Sequence, residues 1–292
     1  MSALRFGAKV DNYGPAVARV GMSEPAARAE AAGFSSLWLS DHVVMVPHTR
    51  STFPFTDDGT IYWDARDPWY EPVVCLPVLA AATTTAEIGV GILIAALRHP
   101  VILAKQLASI DAISGGRLLA GVGAGWMAEE FEILDVPFAT RGERLDEWIT
   151  LLRRCWTGEP GPFRGRHYSV PEGTFCYPRP ARSVPVIVGG MSVPALGRAA
   201  LAGDGWLALP KPSDDMVDVM RDGIARARGF AAAEGRDLTG WRCILNAHDP
   251  LDVAPLLPQL RDLGVTDVVV DLDYDTPDGP ERAFEALSKA AG

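Results

Sequence analysis

The chain has 292 residues, 48% of them hydrophobic, and a formal charge of −10. That apolar content supports one large core without disulfides or metals, and the length suits one α/β barrel. The acidic balance excludes a general nucleic-acid binder, and Cys75, Cys155, Cys176 and Cys243 form no CxxC pair, which excludes a zinc knuckle or redox dithiol.

Scattered single cysteines suit a reducing cytoplasm. The start, Met1-Ser2-Ala3-Leu4-Arg5, leads into a strand-like run without a signal-peptide layout. No apolar stretch reaches membrane-spanning length. A soluble, cytoplasmic protein with no membrane or nucleic-acid partner is expected.

In chain order, residues 4–10 read as a strand and 16–32 as an alanine-rich helix ended by Gly33. Residues 36–40 form the second strand, closing on Asp41-His42. Residues 43–68 carry prolines, aromatics and mixed charges with no clear period. A helix follows over 71–84, with Pro72 early, then a third strand over 88–96 and a helix over 101–113 after Pro100. The fourth strand, 117–122, runs into a Gly123-Ala124-Gly125 turn, and 144–156 is helical. Residues 158–182 are rich in Pro, Gly and aromatics and read as an excursion with an extended ribbon of its own.

The fifth strand, 184–188, ends at Gly189-Gly190 before a helix over 193–202. Strand 206–209, helix 214–234, strand 241–246, helix 253–263, strand 267–271 and a last helix from Pro280 complete the count. About eight β-then-α units, with strands too apolar for one-faced sheets, imply a parallel sheet closed into a (β/α)8 TIM barrel. One domain over 1–292 is expected, with insertions near 43–68 and 158–182.

In such a barrel the strand C-termini and following loops build the active site. Asp41-His42 is the first candidate: a carboxylate beside an imidazole fixes its tautomer and equips it for proton transfer near neutral pH. The alternative is a turn cap beside a space-filling ring. The run from Gly121 to Trp126 is no dinucleotide fingerprint, because Trp126 occupies the third glycine position; its glycines admit a flat ligand or simply make a tight turn. Gly189-Gly190-Met191-Ser192 opens a helix, where free N–H groups and the dipole suit a phosphate, with a plain N-cap at Ser192 as the rival.

Lys211 is a candidate supplementary charge or a solvated surface lysine. Gly91-Ile92, inside the third strand, marks close backbone approach or a packing need. Phe53, Phe55, Tyr62, Trp63, Trp69 and Tyr70 suit a lid over a flat cofactor or a dimerisation pad. The five histidines show no metal-binding spacing, and no Gly-x-Ser-x-Gly elbow is present. His99, ahead of Pro100, reads as structural.

Four segments resemble the luciferase-like flavin monooxygenases, and more closely their coenzyme F420 (deazaflavin)-dependent branch. They are residues 36–42 (SLWLSDH), 89–100 (GVGILIAALRHP) running on through 104–108 (AKQLA), 114–126 (SGGRLLAGVGAGW) with Glu129-Glu130-Phe131, and 185–190 (PVIVGG) continuing to 202–206 (AGDGW). The resemblance implies a dimeric barrel with its flavin-type ring at the strand C-termini and a non-proline cis peptide near Gly91-Ile92. It implies that Asp41 contacts the cofactor head and that His42 transfers the proton. Ala124 and Gly125 would line the cofactor, and Gly189, Gly190, Met191, Ser192 and Val193 would hold its phosphate.

Trp126 is a departure, since sugar-phosphate dehydrogenases of this branch place a catalytic glutamate there. That role does not pass to Glu129 or Glu130. Trp126, with Trp63 and Trp69, suggests an apolar, flat substrate surface. The expected activity is hydride transfer between coenzyme F420 and a small organic substrate. The alternatives are an FMN-dependent monooxygenase served by a reductase partner, and a flavin-binding barrel without turnover.

Overall fold

Every run read as a strand is a strand, and the strands pair in parallel around a closed ring. The computed structural model describes residues 3–292; Met1 and Ser2, which open the chain start read above, lie outside the described residues. The ring strands are β1 (Arg5–Lys9), β2 (Ser36–Leu39), β3 (Glu87–Val90) prolonged by β4 (Leu93–Ile94), and β5 (Leu118–Gly123). A separate antiparallel pair, β6 (Phe163–Arg164) and β7 (Ser169–Val170), is the ribbon of the second excursion. Then come β8 (Val186–Gly189), β9 (Gly205–Ala208), β10 (Arg242–His248) and β11 (Asp267–Val270). Pairing of β1 with β11 and of β3 with β5 closes the circle. The fold is a (β/α)8 barrel.

Outside the ring lie α1 (Gly14–Val20), α2 (Ser23–Ala32), α3 (Pro72–Ala82), α4 (Pro100–Ser114), α5 (Ala128–Ile133) and α6 (Arg141–Cys155). They are followed by α7 (Val193–Leu201), α8 (Met216–Ala233), α9 (Pro250–Val253), α10 (Leu257–Leu263) and α11 (Gly279–Ala291). Their starts follow local chemistry. His99 accepts from Val101 N–H at the head of α4, and Ser192 Oγ accepts from Ala195 N–H at 3.3 Å to cap α7. No helix among the described residues is long and apolar enough to cross a membrane.

Two expected elements are each broken in two. The helix over 16–32 is α1 and α2, because Gly21 adopts φ +72° and turns its N–H back to Val17 O. The strand over 88–96 is interrupted by a cis Gly91-Ile92 peptide and passes into a 3-10 turn at Ala95–Leu97. Gly89 pairs with Leu119 and Leu93 with Val122, so four steps on this strand face three on β5: a bulge.

Inside the barrel, side chains stack in layers. At the N-terminal mouth Arg242 binds Asp267 at 2.6 Å and Glu87 at 2.8 Å, and Arg5 also reaches Asp267. Above this ionic seal Trp38, Leu119, Ile187, Leu207, Ile244 and Val269 fill the middle. On the β5 side the wall is nearly without side chains. A methyl on Gly121 would collide with the Val90 carbonyl oxygen, and one on Gly123 or Gly189 would collide with Ile92.

We expect Gly121→Ala to destabilise the protein by about 3 kcal/mol or more, since a backbone carbonyl has nowhere to move. Gly229→Ala, in α8 with open space around it, should stabilise by up to about 1 kcal/mol. Urea unfolding of both variants beside the parent checks the contrast.

Candidate active site

At the C-terminal mouth the strand ends surround a cavity of about 640 Å³. Its walls differ in chemistry. The β3–β5–β8 side is the glycine wall: Gly91, Gly123 and Gly189, with the Ile92 side chain lodged between the last two. Ala124 and Gly125 continue it, Gly125 with φ +84°. This smooth surface lets a flat ring approach backbone directly.

Facing it is an aromatic wall. His42 is buried and lies among three indoles, with ring centroids 5.9 Å from Trp63, 5.0 Å from Trp69 and 5.6 Å from Trp126. Tyr13 stacks on Trp69 at 4.2 Å, and Phe53 packs edge-on against both Trp63 and Trp126. Phe55 and Tyr62 also line the cavity, whereas Tyr70 does not. The 43–68 excursion therefore supplies much of this wall.

Two expectations about charge need correcting. His42 does not pair with Asp41. Its Nδ1 meets Glu130 Oε2 at 3.1 Å, and Glu130 is fully buried. Asp41 is engaged elsewhere: both its oxygens take Arg98 at 2.6 and 2.8 Å, and Oδ2 also accepts from Ile94 N–H at 2.7 Å. Its side chain is committed to holding the β3–β4 break, though it borders the cavity. Burial alone would lower the Arg98 pKa, but Asp41 and Glu71 hold it raised.

The second correction concerns Lys211. It lies outside the cavity, its N–H held by Asp214. Gly189, Gly190, Met191 and Ser192 border the cavity, and Val193, whose side chain is exposed, follows them at the head of α7.

The cations at this end are Arg141 and Arg198, which sequence reading passed over. Arg198 pairs with Asp146 at 2.6 and 3.1 Å. Arg141 has no carboxylate partner among the described residues. It donates to the Gly125 and Phe138 carbonyls and lies 3.8 Å over the Phe138 ring. Burial and the adjacent Arg198 lower its pKa. Arg141 opens α6 three residues before the expected helix start, so its position at a helix N-terminus was hidden.

The remaining rim carries Lys9, Asn246 and His248. Asp271 accepts from His248 Nδ1 at 3.0 Å and pairs with Lys9 at 3.1 Å; burial pushes its pKa up, but these two partners bring it below the ordinary value. Asn246 is buried, and its Oδ1 has no hydrogen-bond partner among the described residues. A buried amide oxygen without a donor is costly unless a ligand supplies one. Among the described residues no group of three or more His, Cys, Asp or Glu side chains is placed to hold a metal.

These features fit a flat, polar-edged heterocycle with an anionic tail. In such a fit the glycine wall could take the ring face, the Asn246 oxygen an N–H at the ring edge, and Gly190–Ser192 with Arg141 the anion. The sequence profile of the luciferase-like monooxygenases matches residues 9–248. The chain belongs to that family. It is an oxidoreductase of the luciferase-like fold.

Among its relatives, an uncharacterized protein of Mycobacterium tuberculosis is 34% identical over 253 residues, covering 87% of this chain and 85% of the other. An F420-dependent glucose-6-phosphate dehydrogenase of Amycolatopsis mediterranei is 29% identical over 236 residues, covering 78% and 65%. In fold, the chain is similar to an F420-dependent secondary alcohol dehydrogenase solved with an F420-acetone adduct. That match has a TM-score of 0.77 and 17% identity, with 100% of both chains covered.

If Asp41 anchors rather than reacts, Asp41→Asn should cost about 3 kcal/mol of stability by leaving Arg98 short of its buried counter-charge. Thermal unfolding of the cofactor-free protein measures this independently of turnover.

Proposed function

We propose that this luciferase-like enzyme uses coenzyme F420 to interconvert an apolar organic carbonyl compound and its reduced form. The observation that carries the reading is the pairing of a glycine-walled, anion-ended cleft with a single buried imidazole in an indole cage. The names of the relatives support it: two of the three proteins compared above are F420-dependent dehydrogenases. When bound, a deazaflavin supplies hydride chemistry at its C5 carbon.

The chain's own residues do the rest. Ile92 and the glycines position the ring face, and Asn246 fixes its edge. Gly189, Gly190, Met191 and Ser192, with Val193 opening α7, present backbone N–H groups to the tail phosphate, and Arg141 offsets its charge. Trp63, Trp69 and Trp126 exclude water and hold an apolar substrate against His42, whose Nε2 manages the proton. A sugar phosphate fits this cage poorly, because Trp126 is apolar and bulky where those dehydrogenases place a carboxylate.

The family description itself favours a second reading, an FMN-dependent monooxygenase that receives reduced flavin from a partner reductase. We place the enzyme in the cytoplasm as a homodimer. The exposed Val74 on α3 and Ile102 and Ile113 on α4 support that assembly, since these neighbouring helices otherwise leave apolar side chains in water.

Titrating the purified protein with coenzyme F420 and with FMN side by side tests the cofactor. Micromolar or tighter binding of the deazaflavin alone is expected; preference for FMN moves the enzyme to the oxygen-activating reading. Arg141→Ala and Asn246→Leu should each weaken deazaflavin binding roughly tenfold, the scale of one lost hydrogen bond or charge contact. His42→Ala should abolish turnover while leaving cofactor affinity within about threefold; unchanged turnover would remove His42 from the reaction.

A further inference from the structure

Glu130 stands on α5, far from His42 in sequence, yet its two oxygens divide between the imidazole and the backbone beside it. Oε2 meets His42 Nδ1 at 3.1 Å. Oε1 accepts from Val43 N–H and, at 3.3 Å, from Val44 N–H. The neighbouring Glu129 performs only the second kind of task. Its oxygens take the N–H of Arg50 at 2.5 Å, the N–H of Ser51 at 3.2 Å and the Ser51 hydroxyl at 2.8 Å. Burial pushes Glu129 up, but these donors keep its pKa lowered. Two adjacent carboxylates thus pin the start of the excursion, and one of them also touches the reactive ring.

We propose that Glu130 is a positioning residue that fixes the tautomer of His42. An ionised carboxylate only accepts, so the neutral ring must carry its proton on Nδ1. The lone pair is then on Nε2, which has no hydrogen-bond partner among the described residues, on a ring that borders the cavity. His42 is thereby held ready to take a proton from a substrate O–H, and as imidazolium to return it. The Val43 and Val44 bonds keep the carboxylate from rotating away, so excursion and ring orientation are set together. Asp41 cannot substitute, because Arg98 and Ile94 N–H hold both its oxygens. This inference rests on the catalytic role given to His42 under Proposed function.

The test is the Glu130→Gln variant, with Glu129→Gln as its companion. A glutamine keeps an oxygen for Val43 and Val44 but presents an N–H to Nδ1, which forces the ring proton onto Nε2. Long-range proton–nitrogen spectra of the cofactor-free proteins, at alkaline pH where imidazoles are neutral, read the tautomer. The His42 signals are assigned by their absence in His42→Gln. We expect an Nδ1–H ring in the parent and in Glu129→Gln, and an Nε2–H ring in Glu130→Gln. We also expect kcat of Glu130→Gln to fall about 100-fold or more, with the deazaflavin dissociation constant within about threefold.

An Nε2–H ring in the parent overturns the proposal without any variant. An unchanged tautomer in Glu130→Gln overturns it too, as does a flip caused equally by Glu129→Gln, which would make loop bracing the cause. Because the spectra need no cofactor, failure of the protein to bind the deazaflavin while the tautomer flips sinks the cofactor reading alone and upholds this one.

Discussion

The site depends on how closely three stretches of backbone approach one another. Val90 O, Gly121, Gly123, Gly189 and the Ile92 side chain are packed so tightly that one added methyl collides at each glycine. Parallel strands in a closed ring normally fill the lumen with side chains from alternate strands. Here the β3–β5–β8 side of the rim is largely glycine, with the Ile92 side chain lodged between Gly123 and Gly189. The opposite half is correspondingly crowded with Trp63, Trp69, Trp126 and His42. The cleft exists because bulk was removed from one side and added to the other.

Charge is distributed by a similar division of labour. The carboxylates near the rim are mostly committed to protein partners: Asp41 to Arg98, Glu129 to the Arg50–Ser51 backbone, Asp271 to Lys9 and His248. A chain of net charge −10 can therefore offer an anion a local site. Among the described residues Arg141 has no acidic partner, while Arg198 beside it is neutralised by Asp146.

Much of this was legible from the residues in order. Strand positions, the barrel, the two excursions and the loop glycines follow from short apolar runs and the punctuation after them, and these are local properties. The break at Gly91-Ile92 lies where the family resemblance put a non-proline cis peptide, but the break at Gly21 was not legible. A single glycine in an alanine-rich run reads as a tolerated weakness. The Asp41-His42 pairing misled because both Asp41 oxygens are taken by Arg98 and the Ile94 N–H. The partner of His42, Glu130, comes from 88 residues away. Asn246 gave no signal either, because its meaning lies in a missing partner.

The ionic seal of Arg242, Asp267, Glu87 and Arg5 closes the barrel at the end remote from the cleft. Above it lies an apolar plug of Trp38, Leu119, Ile187, Leu207, Ile244 and Val269. The enzyme is in this sense a vessel with one opening. Ligands, water and protons must all pass the same rim, across the 43–68 excursion or the start of α7. A ligand on the glycine wall would therefore have to arrive before, and depart after, one standing in front of it.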